Sequence, residues 1–275
     1  MRIKNSINIS TKQDPRIAPF VSVRERDLTG GTDGRFIVEG KVPLEILLTR
    51  SRFAVDSLFL CDTRLSPLEN LLQRVPDDVP IYTAPQTLMD EIAGFPIHRG
   101  ILACARKGED LALEELIKGA ESANPGRQTL LVLNQTANHD NVGAAFRNAA
   151  AFGATGVILD AGSCDPLYRK SIRVSSGSAL WLPYHRGGTG EDHIAALKLE
   201  GFTIWALTPN PSAPPIGEQV VPQKLALLLG AEGPGLPEAL IAAAQPVRIP
   251  MAAGFDSVNV ATAGAIALAH VFEAN

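Results

Sequence analysis

The sequence predicts an α/β protein whose second half is built on a mostly parallel, covered sheet. Two observations lead there. Short apolar runs alternate with stretches of helical spacing along nearly the whole chain, the pattern of strand–helix–strand units. Three of the later apolar runs lead into polar or glycine-rich loops and then into further helical segments. That arrangement collects functional groups at the carboxyl edge of a parallel sheet. Composition agrees, because 275 residues, 45% of them hydrophobic and 20% charged, suffice for one large or two ordinary domains.

Taken in order, residues 36–40 (Phe-Ile-Val-Glu-Gly) read as a strand and residues 43–48 have helical spacing. Residues 55–60, 80–82 and 100–105 read as further strands of a small α/β domain. The polar stretch 106–110 follows, then a short amphipathic helix over 111–117. The breaker pair Pro125-Gly126 precedes the next apolar run at Thr129. The expected organisation is therefore a domain over 1–106, a linker over 107–127 and a second domain over 128–275. In the second domain, strands are expected near 129–133, 156–160, 202–207, 225–229 and 246–249, with an Ala-rich helix from Val260 to Glu273 at the end.

The net charge of −4 does not advertise a polyanionic partner. Its distribution is uneven, however: residues 1–60 carry ten Lys/Arg against seven Asp/Glu, a mild basic bias. No run of about 18 apolar residues predicts a membrane span, and residues 1–6 show no apolar leader. Cys61, Cys104 and Cys164 lie far apart, which fits a reducing cytoplasm better than a disulfide framework. The five histidines, His98 among them, show no metal-ligand spacing, so no metal is expected. Neither GxGxxG, a P-loop nor GxSxG is present, which weakens nicotinamide, nucleoside-triphosphate and serine-hydrolase readings.

Three segments carry candidate chemistry. The first is His139-Asp140-Asn141-Val142-Gly143, continuing through Ala144-Ala145-Phe146 to Arg147. Asp140 or Asn141 would also serve as a plain helix N-cap. Arg147, set among Ala and Phe, calls for a phosphate or carboxylate partner. The second is Gly230-Ala231-Glu232-Gly233-Pro234-Gly235, where a glycine turn after a strand lets backbone approach a ligand. A tight strand-to-helix turn with Pro237 early in the next helix reads equally well. The third is Ile249-Pro250-Met251 followed by Ser257-Val258-Asn259, whose polar pair serves either as a cap or as part of a site. Between the first two segments, Arg169, Lys170 and Arg173 make a basic stretch suited to phosphate or to a solvated helix face.

In order and spacing, these three segments resemble the motifs of the SpoU (TrmH-type) branch of the SPOUT RNA methyltransferases, over about residues 128–275. Residues 17–105 resemble, more loosely, the L30e-like substrate-binding domain often fused ahead of that catalytic domain. The resemblance implies an N-terminal L30e-like α/β domain and a C-terminal trefoil-knotted α/β domain. It further implies S-adenosylmethionine as cofactor, a homodimer, and methyl transfer to a ribose 2′-OH of structured RNA, rRNA ahead of tRNA. By the same resemblance, Arg147, Asn141, Glu232, Ser257 and Asn259 are the catalytic residues. Glu232 would pair with Arg147 or help take the proton. Leu207, Thr208, Gly230, Ile249, Met251 and Val258 are the cofactor-binding residues. The family commonly has Ser-Leu-Asn-Val-Ser where this chain has Ser257-Val258-Asn259-Val260-Ala261, so position 261 is given no polar role. A non-catalytic RNA-binding protein that keeps the fold is the alternative.

Overall fold

The computed structural model describes residues 6–22, 34–97, 99–123 and 126–274. His98, Pro125, residues 1–5 and the 23–33 part of the expected 17–105 core lie outside the described residues. The chain divides into two compact units, one comprising residues 1–109 with 167–181 and the other residues 110–166 with 182–275.

The first unit holds β1 (Ser6–Asn8), β2 (Arg35–Glu39), α1 (Lys41–Thr49), β3 (Ala54–Cys61), α2 (Glu69–Leu72), β4 (Ile81–Ala84), α3 (Gln86–Ala93) and β5 (Ile101–Arg106). Its sheet has the order β1-β4-β3-β5-β2. The strands β1, β4 and β3 run parallel, while β5 is antiparallel to both β3 and β2. Ile17, Phe20, Phe59, Tyr82, Met89 and Ile92 pack in its core, with the Phe20 and Phe59 rings 5.4 Å apart.

Continuing along the chain are α4 (Leu113–Ala123), β6 (Gln128–Leu133), α5 (His139–Ala151), β7 (Gly156–Leu159), α6 (Arg169–Val174), β8 (Tyr184–Arg186) and α7 (Gly190–Leu199). Then come β9 (Thr203–Leu207), β10 (Lys224–Leu229), α8 (Glu238–Ala242), β11 (Gln245–Val247) and α9 (Val260–Glu273). The helix α6 lies in the segment that belongs to the first unit. There Arg169 Nη1 bonds the buried carboxylate of Glu39, and the guanidinium stacks 4.4 Å from the Phe95 ring. Of the three basic residues noted in the sequence, Arg169 is thus taken up by an internal ion pair.

The second unit carries a six-stranded, wholly parallel sheet in the order β11-β9-β10-β6-β7-β8. The central strands β6 and β10 are buried along almost their whole length, which is why they read as unbroken apolar runs. Alternate residues Leu130, Val132, Ala226 and Leu228 pack with Leu116, Ile194, Leu197 and Leu240. On the other side α9 seats closely on the sheet: a Cβ at Gly264 would stand 2.9 Å from Leu229 Cδ1. Pro246 is accommodated because β11 is an edge strand. That strand ends at Val247, short of the expected 249, because Arg248 bridges to Pro215 instead. The three-residue edge strands β1 and β8 escape the apolar pattern because Ser-Ile-Asn and Tyr-His-Arg are mostly polar.

Among the described residues no helix is long and apolar enough to cross a membrane. No group of three or more His, Cys, Asp or Glu among them is placed to hold a metal ion.

A buried histidine on α7 gives the second unit a pH dependence. His193 Nε2 sits 2.8 Å from the carbonyl oxygen of Gly187, which can only accept, so Nε2 carries the proton. Its Nδ1 is buried without a hydrogen-bond partner among the described residues. Burial pushes the His193 pKa below its ordinary 6.5; the bond to Gly187 opposes the shift, as do Asp160 and Asp192, while His185 adds to it. The neutral form is therefore favoured in the folded state. Its contribution to stability is complete above the ordinary histidine pKa and is lost as pH falls below it. Urea midpoints measured between about pH 7 and pH 5 are expected to fall more steeply for the natural protein than for His193→Gln. Parallel curves would remove His193 from that role.

Candidate active site

The strand order brings the three candidate segments together. The chain leaves the middle of the sheet at β6, moves outward through β7 to β8, and then crosses to β9 on the opposite side. The carboxyl ends of β6, β10, β9 and β11 are consequently adjacent, at the switch point where α/β sheets form their binding crevices. A cleft of about 600 Å³ opens there. Leu207, the last residue of β9, and Thr208 just after it make one wall, Gly230 to Leu236 make another, and Ile249, Met251 and Ser257 to Val260 make the third. Leu207, Thr208, Gly230, Ile249, Met251 and Val258 thus all line one cavity, together with Glu232, Ser257 and Asn259. Pro209, Asn210, Leu236, Ile241 and Ala263 also line it. The sequence reading did not single them out; Pro209 and Asn210 could have been found from their place just after a strand and Ala263 from its place in the first turn of a helix, while Leu236 and Ile241 carry no such signal.

Behind the cleft runs a directed chain of hydrogen bonds. Asn259 is the N-cap of α9, and its Oδ1 accepts from the amides of Ala261 (2.9 Å) and Thr262 (3.2 Å). Because those amides can only donate, the Asn259 amide nitrogen must face the other way, and Nδ2 donates to Asn141 Oδ1 at 2.9 Å. Asn141 then has only its own Nδ2 to offer, which donates to Glu232 Oε1 at 2.5 Å. Every bond points from the helix terminus toward the carboxylate, so the chain requires an acceptor oxygen on Glu232. Its second oxygen, Oε2, forms no hydrogen bond or ion pair among the described residues.

Two features free Asn141 for this work. The N-cap of α5 is Asn138, whose side chain accepts from Asp140 N at 2.8 Å, rather than Asp140 or Asn141. The loop after β6 is fixed from the end of β7. Asp160 Oδ1 accepts from Gln135 N (2.9 Å) and Ser163 Oγ (2.6 Å), while Ser163 Oγ accepts from Thr136 N (3.0 Å). Asp160 and Ser163 are positioning residues that the sequence reading missed; the signal was an Asp directly after an apolar strand.

Arg147 stands apart from this cluster. It is exposed on α5 and forms no hydrogen bond or ion pair among the described residues. It does not line the cleft, and Glu232 bonds Asn141 rather than Arg147. Ser257 is likewise exposed, with no hydrogen bond among the described residues. Position 261 contributes only backbone, its carbonyl accepting from Asn148 Nδ2 at 3.0 Å.

The cleft offers a small ligand apolar walls and unused backbone donors. Leu207, Leu229, Leu236 and Ile241 give it apolar walls. The backbone amides of Ile249, Met251 and Val258 form no hydrogen bond among the described residues and are left for a ligand. Gly230 is required for its shape. A Cβ there would lie 2.3 Å from the carbonyl carbon of Gly235 and 2.4 Å from the amide of Leu236, where the turn folds back. Gly230→Ala is expected to lower stability by at least about 1–3 kcal/mol in chemical denaturation, and an unchanged midpoint would show that the turn is not clamped on Gly230.

Comparison with known proteins agrees with the geometry. The model of the SpoU rRNA Methylase family matches residues 128–269. An uncharacterized tRNA/rRNA methyltransferase of Mycobacterium tuberculosis is 37% identical over 268 residues, covering 94% of this chain and 89% of that protein. The 23S rRNA (guanosine-2′-O-)-methyltransferase RlmB of Photobacterium profundum is 30% identical, covering 75% of this chain and 83% of its own. Among solved structures, the AdoMet-bound rRNA methyltransferase of Sinorhizobium meliloti superposes with a TM-score of 0.80 at 20% identity, covering 98% of each chain. The SpoU methyltransferase AviRb of Streptomyces viridochromogenes, in complex with AdoMet, gives 0.75 at 23% identity over 93% of this chain and 98% of that one. With two of its motifs lining one cleft, the third bonded to them through Asn141, and relatives spanning most of its length, the chain belongs to the SpoU rRNA methylase family.

Proposed function

We propose that the protein transfers a methyl group from S-adenosylmethionine to a ribose 2′-hydroxyl of structured RNA, with ribosomal RNA the substrate ahead of transfer RNA. The observation that carries this reading is the cleft at the sheet's switch point, with a carboxylate held at its edge by the Asn259–Asn141–Glu232 chain. Family membership and the 2′-O-methyltransferase relative support it.

When bound, S-adenosylmethionine supplies an electrophilic methyl group. Ile249, Met251 and Val258 would hold it through backbone groups, Gly230 would admit it closely, and Leu207 and Thr208 would close the pocket around it. What remains for the protein is alignment and removal of a proton. A ribose hydroxyl is a poor nucleophile until its proton is shared. Glu232 Oε2, left free by the bond from Asn141 to Oε1, receives that proton. Arg147 has a guanidinium that stays charged, with a pKa above about 12, and so orients the hydroxyl and neighbouring phosphate rather than acting as the base. Its freedom from partners among the described residues leaves it available to RNA. Ser257 donates to the target nucleotide from the third wall.

The protein works in the cytoplasm as a homodimer. Ile266 and Phe272, exposed on α9, supply apolar surface for the dimer contact. RNA recognition away from the cleft falls to the first unit, read as an L30e-like domain, with unpaired or loop bases as its targets.

Titration calorimetry with S-adenosylmethionine and S-adenosylhomocysteine, with NAD as control, tests the reading. Uptake of the two sulfur ligands alone, followed by a 2′-O-methylated nucleoside in mass spectra of treated RNA, is the expected result. Uptake of neither would leave an RNA-binding protein without chemistry. In the active protein Arg147→Ala is expected to slow methyl transfer on the order of 100-fold with cofactor affinity unchanged, and a variant at full rate would overturn its assignment.

A further inference from the structure

A second groove, of about 460 Å³, opens beside the cofactor cleft and shares Pro209, Asn210, Ile249 and Met251 with it. Its size falls within the range of small-ligand sites, about 300–1,000 Å³. The loop 251–256 forms its outer wall. Phe255 N donates to Ala252 O at 3.2 Å, closing a turn with Gly254 at φ +82°. A positive φ at that third position suits glycine and fixes the direction in which the next side chain leaves the turn. That side chain is Phe255, which is 69% exposed.

An exposed apolar residue alone says little, and Leu199 and Val220 are more exposed still. Phe255 differs in lining a groove, on an ordered turn between Met251 and Ser257. The same groove also offers polar groups without protein partners. Arg248 is pinned by its Nε, which donates to Ala213 O at 2.8 Å, leaving both Nη nitrogens free among the described residues. Asn210 uses Oδ1 to accept from Ser212 N at 2.9 Å, leaving its Nδ2 free. Asp256 supplies the groove's one carboxylate. An aromatic face with a guanidinium and an amide donor beside it matches a nucleobase with its phosphate, since every base has a face to stack and an Arg can take the phosphate.

We propose that this groove binds an unpaired base of the RNA substrate, stacked on Phe255, with Arg248 on the adjoining phosphate and Asn210 on the base edge. The inference rests on the methyltransferase reading and adds to it a nucleotide subsite next to the cofactor. A base paired in a duplex has no free face, so the subsite selects single-stranded or looped RNA.

The test is fluorescence anisotropy of a labelled single-stranded RNA oligonucleotide of mixed sequence, titrated with the full-length protein saturated with S-adenosylhomocysteine. Phe255→Ala is expected to weaken RNA binding about ten-fold, Phe255→Trp to restore it, and both to bind S-adenosylhomocysteine as the natural protein does. Arg248→Gln is expected to weaken RNA binding and reduce its salt dependence. RNA affinity unchanged in Phe255→Ala would overturn the proposal. So would an equal loss of S-adenosylhomocysteine affinity, which would place Phe255 in the cofactor cleft. Natural protein that takes up no S-adenosylhomocysteine would fail the parent reading instead, and the calorimetric titration reveals this before any RNA is added.

Discussion

The hydrogen bond from Asn259 to Asn141 ties the second unit's functional edge together. One partner caps α9 and the other lies in the first turn of α5, so a single contact registers two helices that leave the sheet from different strands. Because Asn259 Oδ1 is committed to the α9 amides, the contact has one polarity, and that polarity passes through Asn141 to Glu232. The partial positive charge of the helix terminus is in this way extended by two side-chain amides to a carboxylate at the cleft edge. A carboxylate held by one oxygen and open at the other is oriented without being neutralised. The parallel sheet supplies the conditions for this contact by bringing the ends of β6, β10, β9 and β11 to one edge.

Much of this architecture was legible in the chain. The strands β6 and β10 announced themselves because burial on both faces demands unbroken apolar runs. The glycine turn after β10 and the polar pair before α9 were legible as loops at a sheet edge. Their convergence on one cleft followed from parallel topology together with the motif order. The edge strands β1 and β8 were not, since three mostly polar residues hold too little apolar surface to show a period. Which of several cap-capable residues would cap α5 was also hidden. Asn138, Asp140 and Asn141 are locally interchangeable, and the choice falls to depth: Asn141 is buried where Glu232 and Asn259 can reach it.

Partner choice was the least legible level. Pairing Arg147 with Glu232 is reasonable on charge alone, yet the structure gives Glu232 to Asn141 and leaves Arg147 outward. Likewise, Arg169 looks like a phosphate contact until its partner, a buried Glu39 some 130 residues earlier, comes into view. Sequence spacing reports which face a residue occupies, whereas partnership depends on which distant strand ends at that face. The supports Asp160 and Ser163 illustrate the same limit, because their role is to hold a loop from the neighbouring strand.

That Glu39–Arg169 pair also bears on how the polypeptide is made. Leu167, Ile172 and Leu180, all fully buried, belong to the unit whose other residues end at 109. A chain emerging from the ribosome therefore presents the first sheet complete while one wall of its core is still unsynthesised. Glu39 waits with its carboxylate facing a site that no cation yet fills, an arrangement that disfavours early closure. Vectorial synthesis does not let this unit finish before the second has begun, as N-terminal domains usually do. That wall arrives only after about seventy further residues, when the first part of the second unit, residues 110–166, has already been made.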